Sequence, residues 1–433
     1  MSKDLASRSA ADLGIDWAAF MAELFPICRS ITGDGLRQTL DIIGDKLPLE
    51  RHEVATGTAV HDWTVPKEWN VRDAFVADSS GRRVIDFRES NLHLVNYSVP
   101  VRRRMQLNEL REHLHTLPDQ PDLIPYRTSY YNESWGFCLR QRDLDQFEEG
   151  EYEVVIDSSL EDGHLSYGEL FLPGEREGEV LITTHICHPS MCNDNLSGVS
   201  VLTALGQALT DMDRRWSYRL LFIPGTIGAI TWLARNQAAA QRVRFGMVLA
   251  GLGDRGPLSW KQSRSGNSAI DRAVGRVLAA REHRILGFSP YGYDERQFCS
   301  PAFNLPVGRL SRSEYATYPE YHSSGDDLDF VSTASLDASF QALLEVIQTL
   351  ETEDYYVNTQ GHCEPQLGRR GLYDLPLEAG ELQRVRLALL WVLNLSDGSW
   401  SLRDIADRAD LPLDSIQTAA AALRAAGILE PVG

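Results

Sequence analysis

The sequence predicts an α/β fold: a mostly parallel mixed sheet covered by helices, with a small β-rich unit inserted near the N-terminus and a winged-helix-like tail. Three observations carry this. Apolar runs in GEVLITTH, YRLLFIP, RFGMVLAGLG and LPVGRLS alternate with helical segments between about 150 and 350. Strands that are apolar on both faces belong in a parallel sheet buried between helical layers. Between about Trp63 and Val101, short alternating segments (DAFVAD, RRVIDF, HLVNYSV) are punctuated by Ser79-Ser80-Gly81 and Pro100, as in a small β unit. The last 50 or so residues give an apolar helix, a helix–turn–helix and the start of a wing.

In chain order, residues 15–48 read as helix. Ala18, Phe20, Met21, Leu24 and Phe25 recur at helical spacing, and Gly33-Asp34-Gly35 interrupts the run. After the β unit, Arg102-Arg103-Arg104 reads as a solvated edge and LNELREHLHTL as helix. EYEVVIDSSL and LSYGELFL read as strands. Asn195 to Leu209, AITWLARN and SLDASFQALLEVIQTLE read as helices. Near the end, Ser401 caps a helix with Asp404 three residues on. The expected division is 1–60 with 116–370 as the main domain, 61–115 as the insert and 371–433 as the tail.

Composition narrows the function. The 433 residues are 43% hydrophobic and 24% charged, ordinary for a folded globular chain. With 42 basic and 61 acidic residues the net charge is −19, a field that repels nucleic acid and anionic membranes. The tail repeats this: residues 373–433 hold five arginines against nine acids, and its second helix, DSIQTAAAALRAAG, offers one arginine among alanines. Base readout needs Arg, Asn or Gln at the groove face, so packing on the main domain or pairing with a second copy is the expected role of the tail. No run of about 18 apolar residues is present, and MSKDLASRSAADLG has no leader pattern. Six scattered cysteines do not form a disulfide framework, so a reducing cytoplasmic setting is expected.

Chemistry concentrates at the carboxyl ends of the predicted strands, where open α/β sheets bind ligands. His185-Ile186-Cys187-His188 is followed by Asn193-Asp194-Asn195. One histidine at a strand end is ordinarily structural. Two imidazoles, a thiol and a carboxylate within ten residues are an expensive grouping for a core, and zinc takes such N and O ligands. Asp194 is not needed as a helix cap, because Asn195 or Ser197 would serve. A second cluster, Glu320-Tyr321-His322-Ser323-Ser324-Gly325-Asp326-Asp327, reads either as a solvated loop or as a ligand histidine with orienting carboxylates. The third, Asp294-Glu295-Arg296, reads as surface, as a general acid/base or as a substrate clamp.

In order along the chain, VLITTHICHPS…NDNLSG, YRLLFIPGTIGAITWL, FGMVLAGLG and YDERQF…NLPVG…EYHSSGDDLDF resemble the di-zinc aminopeptidase family. The likeness is greatest to a bacterial aminopeptidase-like branch with an inserted small β domain and a C-terminal winged helix. WTVPKEWNVRDAFV, SNLHLVNYSVPV and IPYRTSYYNESWGFCL look like its N-terminal signatures. The resemblance implies His185, Asp194 and His322 as metal ligands, with His188 an additional ligand or substrate contact. It also exposes departures. Where the family carries two adjacent glutamates, a general base and a ligand, this chain has Gly225 and Thr226, and the second-metal aspartate aligns with Ala250. One zinc ion is therefore expected, with the base supplied by Glu295 or else Glu320, and with Asp294, Arg296 and Tyr321 contacting substrate. The implied activity is metal-dependent hydrolysis of an amide in a peptide or aminoacylated small molecule. The alternative is a non-hydrolytic binding or regulatory protein that has lost the glutamate pair.

Overall fold

The computed structural model describes residues 5–432; the first four residues, part of the N-terminal stretch considered above, and Gly433 lie outside them. The main sheet has eight strands. Across it run Glu50–Ala55, His164–Leu172, Ser217–Ile223, Glu179–His185, Val243–Leu249, Val307–Ser311, Leu258–Lys261 and His283–Leu286. The four strands from Ser217–Ile223 to Val307–Ser311 are parallel, and they are the four apolar runs of the sequence. The first two strands and Leu258–Lys261 pair antiparallel to their inner neighbours, which makes the sheet mixed.

Every residue of Glu179–His185 and of Ser217–Ile223 is buried. Burying a Val, Leu or Ile side chain contributes about 1.5–3 kcal/mol, so these strands anchor the domain core. Helix Ser197–Thr210 packs against the strand Glu179–His185 and against helix Thr333–Thr352, which also packs on Ala269–Leu278. Helix Ile227–Arg235 follows the strand Ser217–Ile223 directly. Because the parallel strands all end on one edge, the segments after His185, after Ile223 and after Ser311 converge there.

The inserted unit is a four-stranded antiparallel sheet in the order Arg83–Asp86, Glu68–Ala77, Glu151–Glu161, Val101–Gln106. Its long partner strand, Glu151–Glu161, comes from beyond residue 115. EYEVVIDSSL is a strand, as its alternation indicates, but alternation does not report which sheet a strand joins. HLVNYSV forms no strand. It folds as a short 3-10 turn and loop whose buried polar groups are satisfied: His93 Nδ1 lies 2.7 Å from the Cys138 carbonyl, and Asn96 donates to the Arg29 carbonyl at 3.0 Å. LNELREHLHTL is helical only over Leu107–Leu110, then tightens to 3-10 and ends in the two-residue strand Leu114–His115.

The tail sheet begins at Tyr355–Asn358, which pairs with both Asp397–Ser401 and Leu429–Pro431. Helices Ala379–Leu395, Leu402–Ala409 and Leu413–Ala425 complete the unit. The Ser401–Asp404 capping box forms. Asp404, with its carboxylate fully buried, also ion-pairs with Arg272 at 2.9 Å and accepts a hydrogen bond from Arg276, both from helix Ala269–Leu278 of the main domain. The cap is thus also the bolt that docks the tail. Asp404→Ala is expected to lose about 2–3 kcal/mol, through the missing cap and the loss of its ion pairs to Arg272 and Arg276. Urea denaturation checks this. Unchanged stability together with unchanged protease sensitivity of the 359–380 connection would show that the tail is held by other contacts.

Candidate metal centre

His185 ends its strand, so its side chain emerges at the carboxyl edge of the sheet. The chain then turns through His188 and re-enters the core as the irregular segment Cys192–Leu196 before the long helix starts. Asp194 lies in this segment and is fully buried. Its Oδ1 is 2.9 Å from His185 Nε2 and its Oδ2 is 3.1 Å from His322 Nε2. One carboxylate therefore joins two histidines 137 positions apart. Ligand atoms of His185, His188 and Asp194 lie within 4.8 Å of one another, and the His188 ring is 5.3 Å from that of His322.

Two further devices hold this geometry. Asp326, four residues after His322, accepts the backbone N–H groups of Cys192, Asn193 and Asp194 at 3.2, 2.5 and 2.8 Å. It staples the two ligand-bearing loops together. His322 itself sits at φ 52°, a left-handed conformation costly for a non-glycine residue. Its carbonyl accepts the Tyr126 N–H at 2.8 Å, and Ser324 bonds the neighbouring Ile124. The sequence reading had no signal for Asp326 as a staple. Arg29 was also missed; it is buried and donates from Nε to the His188 carbonyl at 2.9 Å.

Tyrosines cover the imidazoles. Tyr293 stacks on His185 at 4.9 Å and Tyr321 on His322 at 4.0 Å, while Tyr126 meets both His188 and His322 edge-on at 5.2 Å. Tyr126 belongs to IPYRTSYYNESWG, whose aromatic density was the available clue. Tyr321, expected at the substrate, stands at the ligand cluster.

Protonation states suit a cation. Burial pushes His188 well below the usual imidazole range, so it is neutral with a lone pair to offer. Burial opposes charge on Asp194, but His188 and the hydrogen-bonded His185 and His322 outweigh it and hold the carboxyl well below its usual range. Three imidazoles and one carboxylate are a donor set that zinc accepts in tetrahedral array at about 2.0–2.2 Å. The residues present fit one such ion. Gly225, Thr226 and Ala250 provide no donor side chains for a second like the family's.

The acids proposed for proton transfer separate sharply. Glu295 is buried, and its Oε1 takes the Lys261 ammonium at 2.8 Å with Arg309 at 3.7 Å. Glu295, expected as the base, thus carries an ion pair with two cations. Glu320 is half-buried and packs beside Gly325 on the ligand loop. Asp294 precedes the short helix Glu295–Phe298 without a side-chain cap bond and is 1% exposed, and among the described residues neither carboxylate oxygen has a hydrogen-bond partner. Burial pushes it up to about 7 against the pull of His185. Arg296 is half-buried next to it.

Comparison with known proteins agrees with this architecture. Residues 18–353 match the model of a domain of unknown function, DUF4910, and residues 354–431 match a winged helix-turn-helix. A Clostridium acetobutylicum protein, assigned by name to polysaccharide biosynthesis and an aminopeptidase-like domain, is 48% identical over 427 residues, covering 98% of each chain. A crystal structure from the same organism, a peptidase by name, is 48% identical over 99% of this chain and 98% of that one, with a TM-score of 0.82. The zinc aminopeptidase BSAP of Bacillus subtilis shares the fold at 10% identity, with a TM-score of 0.56 over 76% of this chain and 93% of that one. Among the described residues no helix is long and apolar enough to cross a membrane. The chain belongs to the DUF4910 family, with the zinc-aminopeptidase fold and a C-terminal winged helix.

Proposed function

We propose that the protein is a single-zinc hydrolase of amide bonds, with His185, His188, Asp194 and His322 as the metal ligands. The observation that carries this is the convergence of three imidazoles and one carboxylate on one sheet edge, with Asp194 bridging His185 and His322. When bound, the ion would polarise an amide carbonyl and acidify water. The chain's own residues supply the rest. Tyr321 and Tyr293 close over the imidazoles and exclude bulk water. The half-exposed His322 marks the side from which substrate enters. The preferred substrate class is a peptide or an aminoacylated small molecule. Because the Clostridium relative is named for polysaccharide biosynthesis, an amide carried on an amino sugar belongs in the same test. The tail serves as a packing module: the N-terminus of its helix Leu402–Ala409 faces Arg272 and Arg276 rather than solvent, which leaves it no phosphate to bind.

The test is metal analysis of the purified protein followed by turnover on aminoacyl p-nitroanilides, amino-acid amides and N-acyl amino sugars. The expected result is one zinc per chain and turnover removed by chelation and restored by zinc. One bound zinc with no turnover on any substrate would favour the non-hydrolytic reading, which the loss of the glutamate pair at Gly225 and Thr226 supports. No zinc binding at micromolar metal would remove both.

A further inference from the structure

The family's glutamate base is missing at Gly225, yet a carboxylate faces that position from another element. A Cβ placed on Gly225 would sit 3.2 Å from His185 Cβ and 3.7 Å from Asp294 Oδ1. Asp294 reaches this point from the turn that opens helix Glu295–Phe298, in the segment between the strands His283–Leu286 and Val307–Ser311. Gly225 follows the strand Ser217–Ile223 on the other side of His185. The room left by the glycine is thus bounded by the first metal ligand on one side and by Asp294 on the other.

The neighbouring acids are committed elsewhere. Glu295 is ion-paired through Oε1 to Lys261 and Arg309, with Oε2 unpartnered among the described residues; Asp326 holds three backbone N–H groups, and Asp254 accepts Asn193, Ser313 and Gly256. Asp294 has two buried oxygens, and among the described residues neither has a hydrogen-bond partner. Leaving a buried carboxylate unsatisfied costs several kcal/mol, and such exceptions gather where a group must remain available to a ligand.

We infer that Asp294 is the catalytic proton acceptor of this site, supplied from a different segment to replace the glutamate lost at Gly225. This rests on the hydrolytic reading above. In the reaction, the attacking water gives one proton to an Asp294 oxygen as its own oxygen bonds the carbonyl carbon. When the C–N bond breaks, that proton passes to the leaving nitrogen. Amide and water become acid and amine, and Asp294 returns to a carboxylate.

The test uses the zinc-loaded full chain and an isosteric variant, Asp294→Asn. Turnover is expected to fall about 10²- to 10⁴-fold, the usual worth of a general base, with zinc affinity within threefold of the original. A rescue variant carries Asp294→Ala with Gly225→Glu, and at least tenfold recovery over Asp294→Ala alone is expected. A second readout needs no turnover. Titration calorimetry with acetohydroxamic acid in two buffers of different ionisation enthalpy counts the proton that the ligand sheds on binding. The original protein keeps it, whereas Asp294→Asn releases about one to the buffer. One proton released by both proteins, or loss of zinc in Asp294→Asn, overturns the assignment. Failure of the hydroxamate to bind either zinc-loaded protein overturns the metal-site reading itself, and the proton role with it.

Discussion

Asp194→Ala is expected to lose tight zinc binding and all turnover above background. Asp194 hydrogen-bonds two of the histidines, His185 at 2.9 Å and His322 at 3.1 Å. It is also the one carboxylate that a dication would meet among the three imidazole rings. Structural zinc sites with four ligands bind with roughly 10–16 kcal/mol, so one ligand is worth roughly 3 kcal/mol, or about a hundredfold to a thousandfold in Kd. Losing the only ligand charge adds to that. Competition with a chromophoric chelator measures the change directly. A second signature is thermal. Zinc raises the Tm of the original protein by mass action, and at equal metal the variant should show no such rise. Asp194→Asn separates charge from shape: it fills the same space, and zinc binding should stay weak. If Asp194→Ala bound zinc as tightly as the original, the ion would lie elsewhere and the site would be abandoned.

Much of this centre was legible because its parts are local. His185, His188 and Asp194 fall within ten residues, and the strand before them is apolar enough to fix which way His185 emerges. The capping box at Ser401 and Asp404 was readable for the same reason. The partners that decide what a side chain does are remote, and composition or periodicity does not report them. Asp294 and Glu295 are adjacent acids with opposite fates. Lys261 and Arg309, from two other strands, ion-pair the second and leave the first bare. The strand Glu151–Glu161 shows the same limit at the level of fold. Its alternation announces a strand, but pairing with Glu68–Ala77 and Val101–Gln106 is set by contacts across some 45 to 90 residues. HLVNYSV alternates as well, yet its backbone is drawn into a loop by the buried bonds of His93 and Asn96. Local patterning weighs burial of alternate side chains and is blind to a polar group that finds a better partner off the sheet.

Asp326→Ala should damage the site as severely as removing a ligand, although Asp326 is placed to bind no metal. Its two oxygens satisfy the N–H groups of Cys192, Asn193 and Asp194. Alanine leaves the Asn193 and Asp194 N–H groups without an acceptor, while Cys192 keeps the Asp326 backbone carbonyl at 3.0 Å. At about 1–3 kcal/mol for each of the two, and allowing for water entering the gap, the expected loss of stability is about 2–4 kcal/mol. The functional cost follows from where those donors lie. The segment Cys192–Asp194 positions the ligand carboxylate, and Asp326 ties it to the loop carrying His322. Without the tie, each loop relaxes independently, and the spacing between Asp194 Oδ2 and His322 Nε2 is no longer enforced. Groups that orient ligands are typically worth about 10–100-fold in metal affinity. Asp326→Asn distinguishes this positioning role from a general loss of folding. It retains one carbonyl oxygen for the loop, so most of the stability should return while zinc affinity recovers only in part. Cobalt substitution gives the decisive readout. A distorted ligand set shifts and weakens the visible absorption of the tetrahedral ion, whereas a protein that is merely less stable shows the original spectrum at reduced occupancy. An unaltered spectrum with unaltered affinity in folded Asp326→Asn would confine Asp326 to the scaffold.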